Sequence, residues 1–378
     1  MSLSDSGSIL IAAASGRALA AAARRSGYRP LVVDFFGDSD TRALAAATVE
    51  IADPARGFEA DELLSLLHEL AAGAAPVGLV CGSGFEDRTE ILDILAQHFF
   101  VFGNAAQTVA RAKDPHVLAA LCAELGIPHP EISVARPRAP ENWLVKRQGG
   151  GGGLHVRAVG QDEISSQEYF QRRVGGAPVS VLLLCDGGEA QILGTSSQWT
   201  TPSTGMPFRF GGAVRPADNP AAPLAALGEA AQKIARALGL VGLNSVDFLA
   251  GAEGYHLIEV NPRPGATLDI FADGEGALFA AHLAACRGHL PRRPLVFTKA
   301  AATAIAYAPR EFPSMPALVW PDWCKDRQRP GTCLRAGDPV CTISAEAETA
   351  AAARACVGER LAWFDDYLLR EAQKECAA

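Results

Sequence analysis

The sequence contains no apolar run approaching the ~20 residues that a bilayer-spanning helix needs. Its first residues, MSLSDSGSILIAAASGRALAAAARRSG, lack the basic start and unbroken apolar centre of a secretory leader. Neither a membrane anchor nor an export signal is expected, and the cytoplasm is the expected compartment. Cysteine occurs nine times but never as CxxC: Cys81, Cys122, Cys185, Cys286, Cys324, Cys333, Cys341, Cys356 and Cys376. That spacing argues against a disulfide framework and a zinc ribbon and leaves reduced thiols. The nearest grouping, Cys324, Cys333 and Cys341, reads as structural. Positive charge is in deficit, with a net charge of −8, so no nucleic-acid partner is expected. A small anionic substrate remains compatible, because local arginines outweigh net charge at a site. No internal repeat is present.

What is there is a foldable chain. Hydrophobic residues make up 49% and charged residues 20%, which excludes disorder as the main state. At 378 residues, two or three domains are expected. Residues 1–105 alternate apolar runs (SILIAAA, RPLVVDFF, APVGLVCGSGF, FVFG) with helical spacing (ALAAAARRSG, DELLSLLHELAAG, EILDILAQHF). That rhythm predicts a parallel βαβ sheet covered on both faces. Residues 106–125 read as one helix, stopped by Gly126-Ile127-Pro128. The rhythm then changes. NWLVKR, LHVRAV, EYFQRRV, PVSVLLLC and AQILGTSSQ read as strands of an antiparallel region. A helix is expected over about 222–238, then two strands, GLNSVDFLA and GYHLIEVNP, joined at Gly251-Ala252-Glu253-Gly254. Residues 291–345 read as Pro-rich and irregular, and residues 349–370 as a last helix with Leu361, Phe364, Tyr367 and Leu368 on it. The fold class is α/β: an N-terminal parallel βαβ domain (1–105), then a two-lobed α+β module divided into 106–178 and 179–378.

The strand pair from Asp247 to Arg263 carries the chemistry. Side chains alternate along a strand, so Glu259 and Asn261 share one face, and a short turn brings Asp247 to the same side. Two carboxylates and an amide oxygen make an oxygen-only site of the kind that holds Mg²⁺ beside nucleotide phosphates. Arg263, two residues on, is placed to meet a phosphate or a developing oxyanion. A hairpin with a solvated acidic face satisfies the same pattern, although Pro262 and Pro264 give it a rigid exit that solvated side chains do not need. Upstream, Lys146 ends a strand and is followed by Gly149, Gly150, Gly151, Gly152 and Gly153. Glycine lets backbone N–H groups wrap closely around phosphates; a flexible linker has the same composition. Lys113, at the expected start of a helix, reads alone as a surface charge.

Taken in order, Lys113, the GIPHPE helix end, Lys146 before the glycine run, QRRVGGAPVSV, VDFL and EVNPRPG resemble the ATP-grasp superfamily over residues 1–290. The resemblance implies ATP and Mg²⁺ (or Mn²⁺) as cofactors. It implies Lys113 and Lys146 as phosphate contacts, with Lys146 and Arg263 serving catalysis, and Gly149 to Gly153 as a mobile phosphate loop. It implies Gln171 to Val174, with Arg173, as the segment whose backbone reads adenine, and Asp247, Glu259 and Asn261 as metal ligands. The chain departs from the family in two places. Its interlobe stretch lacks the acidic residues often used for ribose, and Ser245 stands where some members carry a substrate arginine. Substrate recognition is therefore expected from the long loop QWTTPSTGMPFRFGGAVRP, with Gln198, Trp199, Arg209, Phe210 and Arg215 as candidates and Arg209 or Arg215 as the clamp for a substrate carboxylate. Surface arginines are the plain alternative.

Length, GIPHPE, FRFGGAVRP and GDPVCTISAEA look like carboxylate–amine ligases related to tyramine–glutamate ligase, which act in methanofuran-type cofactor biosynthesis. That likeness implies small-molecule carboxylate and amine substrates, and a homodimer is one expected assembly. Two rivals stand beside it. One is a bicarbonate-using carboxylase, which would need a separate biotin carrier because Met-Lys-Met is absent here. The other is a nucleotide-binding protein without chemistry.

Overall fold

The computed structural model describes residues 7–272 and 274–377. Residues 1–6, where the stretch read against a leader begins, lie outside the described residues, as does the side chain of Cys376. Among the described residues no helix is long and apolar enough to cross a membrane.

The first sheet is parallel. Its strands are β1 (Ser8–Ala12), β2 (Arg29–Asp34), β3 (Ala47–Glu50), β4 (Leu79–Cys81) and β5 (Val101–Phe102), in the order β3-β2-β1-β4-β5. β1 is buried at every position and β2 at all but its first, as a sheet covered on both faces requires. β3 was not expected. It is a short, half-buried edge strand, too brief to show alternation. The chain builds outward from β1 first to one side, then to the other. This opens a crevice between the carboxyl ends of β1 and β4, the position where open α/β sheets receive ligands.

The single helix expected over 106–125 is two, Ala106–Lys113 and Pro115–Glu124. A residue preceding proline avoids the helical region, and Asp114 has ψ 116°. Its carboxylate caps the second helix by accepting from the N–H groups of His116 (2.8 Å) and Val117 (3.0 Å). Lys113 therefore ends a helix and does not begin one.

The second sheet holds β6 (Ile132–Ser133), β7 (Trp143–Arg147), β8 (Val156–Ala158) and β9 (Glu168–Arg172), in the order β6-β9-β7-β8. The third holds β10 (Ala177–Asp186), β11 (Ala190–Thr200), β12 (Phe210–Arg215), β13 (Val241–Gly251), β14 (Gly254–Asn261), β15 (Ala300–Tyr307), β16 (Cys324–Lys325) and β17 (Pro339–Ala347). Its order is β14-β13-β10-β11-β12-β15-β17-β16, and its neighbours are antiparallel, as expected for this region.

Two expectations are corrected here. The irregular stretch 291–345 contains β15, β16 and most of β17, which extend the large sheet. AAATAIAY is alanine-rich and carries little strand propensity; packing against Ala353 and Val357 of the last helix decides its state. The long loop 198–216 also shrinks to residues 201–209, because β11 runs to Thr200 and FGGAVR is a strand. Gly212 there lies so close to the Trp199 ring and the Thr303 carbonyl that a side chain would collide with them.

Helix Leu224–Leu238 covers one face of the large sheet, against Val179, Val181, Leu183, Val246 and Phe248. The other face packs Leu182, Leu184 and Leu243 against Ile270, Phe271, helix Ala277–Ala285 and the first sheet. The last helix, expected over 349–370, is Ala350–Ala377, and it buries Phe364 and Leu368.

Candidate functional site

The pairing of β13 with β14 sets Asp247 opposite Glu259 and Ser245 opposite Asn261. Opposed residues share a face, so the carboxylates and the amide converge as the alternation predicts. β10 adds Ser180, opposite Asp247, whose hydroxyl donates to Asp247 Oδ1 at 2.5 Å. Asn261 Nδ2 donates to Asp247 Oδ2 at 2.8 Å. Lys113 arrives from the end of its helix. Its ammonium donates to Glu259 Oε1 at 2.6 Å and to Asn261 Oδ1 at 2.9 Å. The face is therefore not a solvated acidic one: Lys113 and Asn261 are each only 8% exposed.

A positive charge is thus already seated among these oxygens, and the donor set is hard and oxygen-only. That fits Mg²⁺, which takes one or two protein carboxylates and completes its shell from phosphates and water. Among the described residues no three or more His, Cys, Asp or Glu gather as an all-protein metal cage.

Lys146 comes from the end of β7. It is 6% exposed, and its ammonium donates to the Ile258 carbonyl at 3.3 Å. The glycine run follows, and its geometry is specific. Gly149 and Gly153 have φ of +72° and +73°. A Cβ on Gly149 would fall 2.6 Å from the Glu86 carbonyl, and one on Gly153 would overlap the Phe208 carbonyl. Phe210 N donates to Gly152 O at 2.9 Å. The run is thus docked at both ends, against the loop after β4 and the loop before β12. Beneath it an open cleft of ≈ 360 Å³ is lined by Lys113, His129, Lys146, Gly149, Tyr169 and Glu259, among others.

Arg263 meets a partner that the sequence reading missed. Its Nε donates to Glu86 Oε1 at 2.5 Å, and its Nη1 to the Pro264 carbonyl at 3.3 Å. Glu86 Oε2 in turn accepts from Gly84 N (2.8 Å) and Phe85 N (3.0 Å). The available signal was the stretch CGSGFE at the carboxyl end of β4, beside the crevice of the parallel sheet.

The charges are tuned by burial and by one another. Burial works to raise the Glu259 carboxyl, but Lys113 above all outweighs it and holds it down to about 2. Burial and the neighbouring Glu259 push Asp247 up to about 6. Glu86 is held at about 2, against burial, by Arg263 and then Lys113. Burial lowers Lys146 from its ordinary value, opposed by Glu259 and Asp247. Burial also lowers His155, just past the glycines, to about 4.

The remaining predicted residues divide. Gln171 is buried in β9, between Ile132 of β6 and Leu144 of β7. Arg173 and Val174 lie in the link from β9 to β10, where Arg173 N donates to Asn142 O at 2.8 Å and the Arg173 side chain is exposed. Arg209 and Arg215 are not surface arginines, being 5% and 7% exposed. Arg209 donates to the carbonyls of Thr201 (3.0 Å) and Gly337 (3.0 Å), and its guanidinium lies 3.6 Å from the Tyr307 ring centre. Its donors hold the 201–209 loop to the C-terminal strands. Arg215 has fewer partners.

This two-lobed arrangement, with a hairpin of acidic oxygens, two buried lysines and a docked glycine run, is that of an ATP-grasp domain. Residues 116–267 match the family model described as "ATP-grasp domain". The large chain of carbamoyl phosphate synthase from Myxococcus xanthus (strain DK1622) is 26% identical over 211 residues, 49% of this chain and 19% of that protein. The chain therefore spans about a fifth of that relative's length. Among solved structures, Rhizobium etli pyruvate carboxylase superposes with a TM-score of 0.72 at 15% identity, covering 96% of this chain and 38% of that one. N5-carboxyaminoimidazole ribonucleotide synthetase from Thermotoga maritima superposes with a TM-score of 0.65 at 14% identity, covering 96% and 98%. At these identities the likeness is one of fold.

Proposed function

We propose that the protein is an ADP-forming ligase that uses ATP to activate a carboxylate and joins it to an amine. The observation that carries this reading is Lys113, held between Glu259 and Asn261 on the sheet face where Asp247 stands opposite Glu259. A solvated hairpin has no use for a buried lysine there.

In this reading the triphosphate enters the cleft between the two sheets. Lys113, Lys146 and the backbone N–H groups of Gly149 to Gly153 bind its oxygens, and the backbone around Gln171, Arg173 and Val174 reads the adenine. Asp247, Glu259 and Asn261 would hold Mg²⁺, or Mn²⁺ by the same oxygen chemistry; when bound, the ion neutralises phosphate charge. A substrate carboxylate oxygen attacks the γ-phosphorus, the bond to ADP breaks, and an acylphosphate forms. Arg263, oriented by Glu86, stabilises the charge on the transferred group. The amine then adds to the acyl carbon, forming the C–N bond, and loses a proton; the C–O bond to phosphate breaks and phosphate leaves. The docked glycine run keeps water from the acylphosphate. No protein nucleophile is required; positioning and charge do the work.

For substrates, the likeness to tyramine–glutamate ligase suggests glutamate as the acid and tyramine or a tyrosine-like amine as acceptor, in methanofuran-type cofactor biosynthesis. A cytoplasmic homodimer is the assembly we assign to this reading. A second reading, in which bicarbonate is the acid, is favoured by the fold likeness to pyruvate carboxylase and N5-carboxyaminoimidazole ribonucleotide synthetase. It uses the same first step. The test is ADP release from Mg·ATP across acids crossed with amines, including glutamate with tyramine and with tyrosine, with and without bicarbonate. ADP release that needs both an acid and an amine establishes the ligase. Release that needs bicarbonate moves the reading to the carboxylase. ATP binding with no release under any condition leaves a nucleotide-binding protein without chemistry.

A further inference from the structure

Three strands from Asp247, the same face of the large sheet carries an arginine with unused donors. Asp247 lies opposite Ser180 on β10, and Ser180 opposite Ser196 on β11. Gln198 of β11 lies opposite Ala213 of β12. Two residues along each strand, Ser196 and Arg215 occupy the next same-face position. Opposed residues, and residues two apart, share a sheet face. Glu259, Asp247, Ser180, Ser196 and Arg215 therefore form one row across five strands, on the face that receives Lys113. At about 4.8 Å per strand, the Arg215 backbone stands about 14 Å from that of Asp247.

Arg215 is 7% exposed. Its Nε donates to the Ile270 carbonyl at 2.5 Å, and its guanidinium carbon lies 5.4 Å and 4.7 Å from the ring centres of Phe271 and Phe297. Its two Nη groups have no acceptor among the described residues, and no described carboxylate forms an ion pair with it. The charge that acts on it is Glu346, an exposed residue two strands further along the row, through Ala301. Burial accordingly depresses its pKa from the ordinary arginine value. The other buried arginines are engaged. Arg17 pairs with Asp269 and Asp326, and Arg209 donates to two carbonyls. A guanidinium buried without a counter-charge costs stability that an apolar residue packed between Phe271 and Phe297 would not. It is also the group best shaped to receive a carboxylate or phosphate with two parallel hydrogen bonds.

We infer that Arg215 anchors a second anionic group, carboxylate or phosphate, carried by one of the two reactants, which lies along the row between Arg215 and Asp247. The inference rests on the ligase reading for what happens at the Asp247 end. The anion site itself stands on Arg215. It also separates the two arginines of the 201–215 segment: Arg209 holds the loop, and Arg215 faces the ligand.

The test uses the full chain loaded with Mg·ADP, and calorimetry with three series of probes. These are α,ω-dicarboxylates of increasing length, monocarboxylates of matched length, and ω-phosphonocarboxylates. At one length a dianion is expected to bind at least ten times more tightly than its matched monoanion. Whether the dicarboxylate or the phosphonate is preferred identifies the second group. Arg215→Met should abolish the dianion advantage with Mg·ADP affinity unchanged. Arg215→Lys, which keeps the charge and loses the fork, should weaken dianions at least threefold and leave monoanions alone. If Arg215→Met does not fold, as read by circular dichroism, the lysine variant decides. No dianion preference in the wild type, or the same preference in the variants, overturns the inference. Failure of the wild type to bind Mg·ADP would instead count against the ligase reading. The dianion preference and its dependence on Arg215 would then be read on nucleotide-free protein.

Discussion

Glu86 Oε1 and Arg263 Nε lie 2.5 Å apart, although 177 residues separate them in the chain. The parallel N-terminal sheet thus sets the orientation of the arginine that follows the acidic hairpin. The Glu86 carbonyl also meets Gly149, so one short loop contacts both the arginine and the glycine run. Glu86→Gln should leave Arg263 buried beside a neutral group. Losing one partner of such a pair costs about 3 kcal/mol. Urea unfolding should show a loss of that order. ADP release should fall at least ~10-fold, which corresponds to 1.4 kcal/mol of lost transition-state stabilisation. A variant with wild-type stability and rate would show that the pair orients nothing.

Glu259→Ala removes the carboxylate that holds Lys113 at 2.6 Å. ADP formation should be abolished while the far-ultraviolet dichroism stays that of the wild type. Near-normal turnover in this variant would remove the hairpin from the mechanism.

The glycine run can be dissected by conformation. Gly152 and Gly153 have φ of +62° and +73°, but only Gly153 faces an obstacle, the Phe208 carbonyl. Gly152→Ala should cost only the left-handed penalty of about 1–2 kcal/mol. Gly153→Ala should cost more and should also slow ADP release, because the loop must move away from its dock. Equal effects of the two changes, by thermal unfolding and ADP release, would mean that docking contributes nothing.

Asp38 gives a pH dependence of stability away from the site. Burial, then the nearby Asp326, Asp34 and Asp40, push its carboxyl up to about 8, and its Oδ2 has no hydrogen-bond partner. A raised carboxyl binds its proton more tightly in the folded state. Its stabilising contribution is complete below the unfolded value of about 3.9 and is lost as pH rises through about 8. The slope is at most ~1.4 kcal/mol per pH unit. Asp38→Asn should therefore gain on the wild type steadily from pH 5 to pH 8 in denaturant titrations. A constant difference between the two would show that Asp38 titrates normally.

Much of this was legible in the residue order, because it depends on local period. Alternation along GLNSVDFLA and GYHLIEVNP placed Asp247, Glu259 and Asn261 on one face, and the register confirms it. Apolar runs between helical stretches identified the parallel sheet, since a strand buried on both faces has a recognisable composition. Where local preference is weak the reading failed. Alanine-rich β15 and glycine-rich β12 became strands because neighbours already in the sheet and the last helix accepted them. Asp114-Pro115 was readable as a helix break, but the helical pattern on both sides masked it.

What the residue order determined by itself was the alternation that puts Asp247, Glu259 and Asn261 on one face of the hairpin and the glycine run after Lys146, each set by its own few neighbours. Tertiary structure decided what meets that face. Lys113 reaches Glu259 across 146 residues and Glu86 reaches Arg263 across 177, distances over which no periodicity carries information. It also decided the fates of Arg209 and Arg215, six residues apart in the chain. One was drawn onto the carbonyls of Thr201, in its own loop, and Gly337, and the other was left without an acceptor for its Nη groups among the described residues, in the row of Asp247. Side-chain partners of that kind are chosen by the packing of whole sheets, which only the folded chain contains.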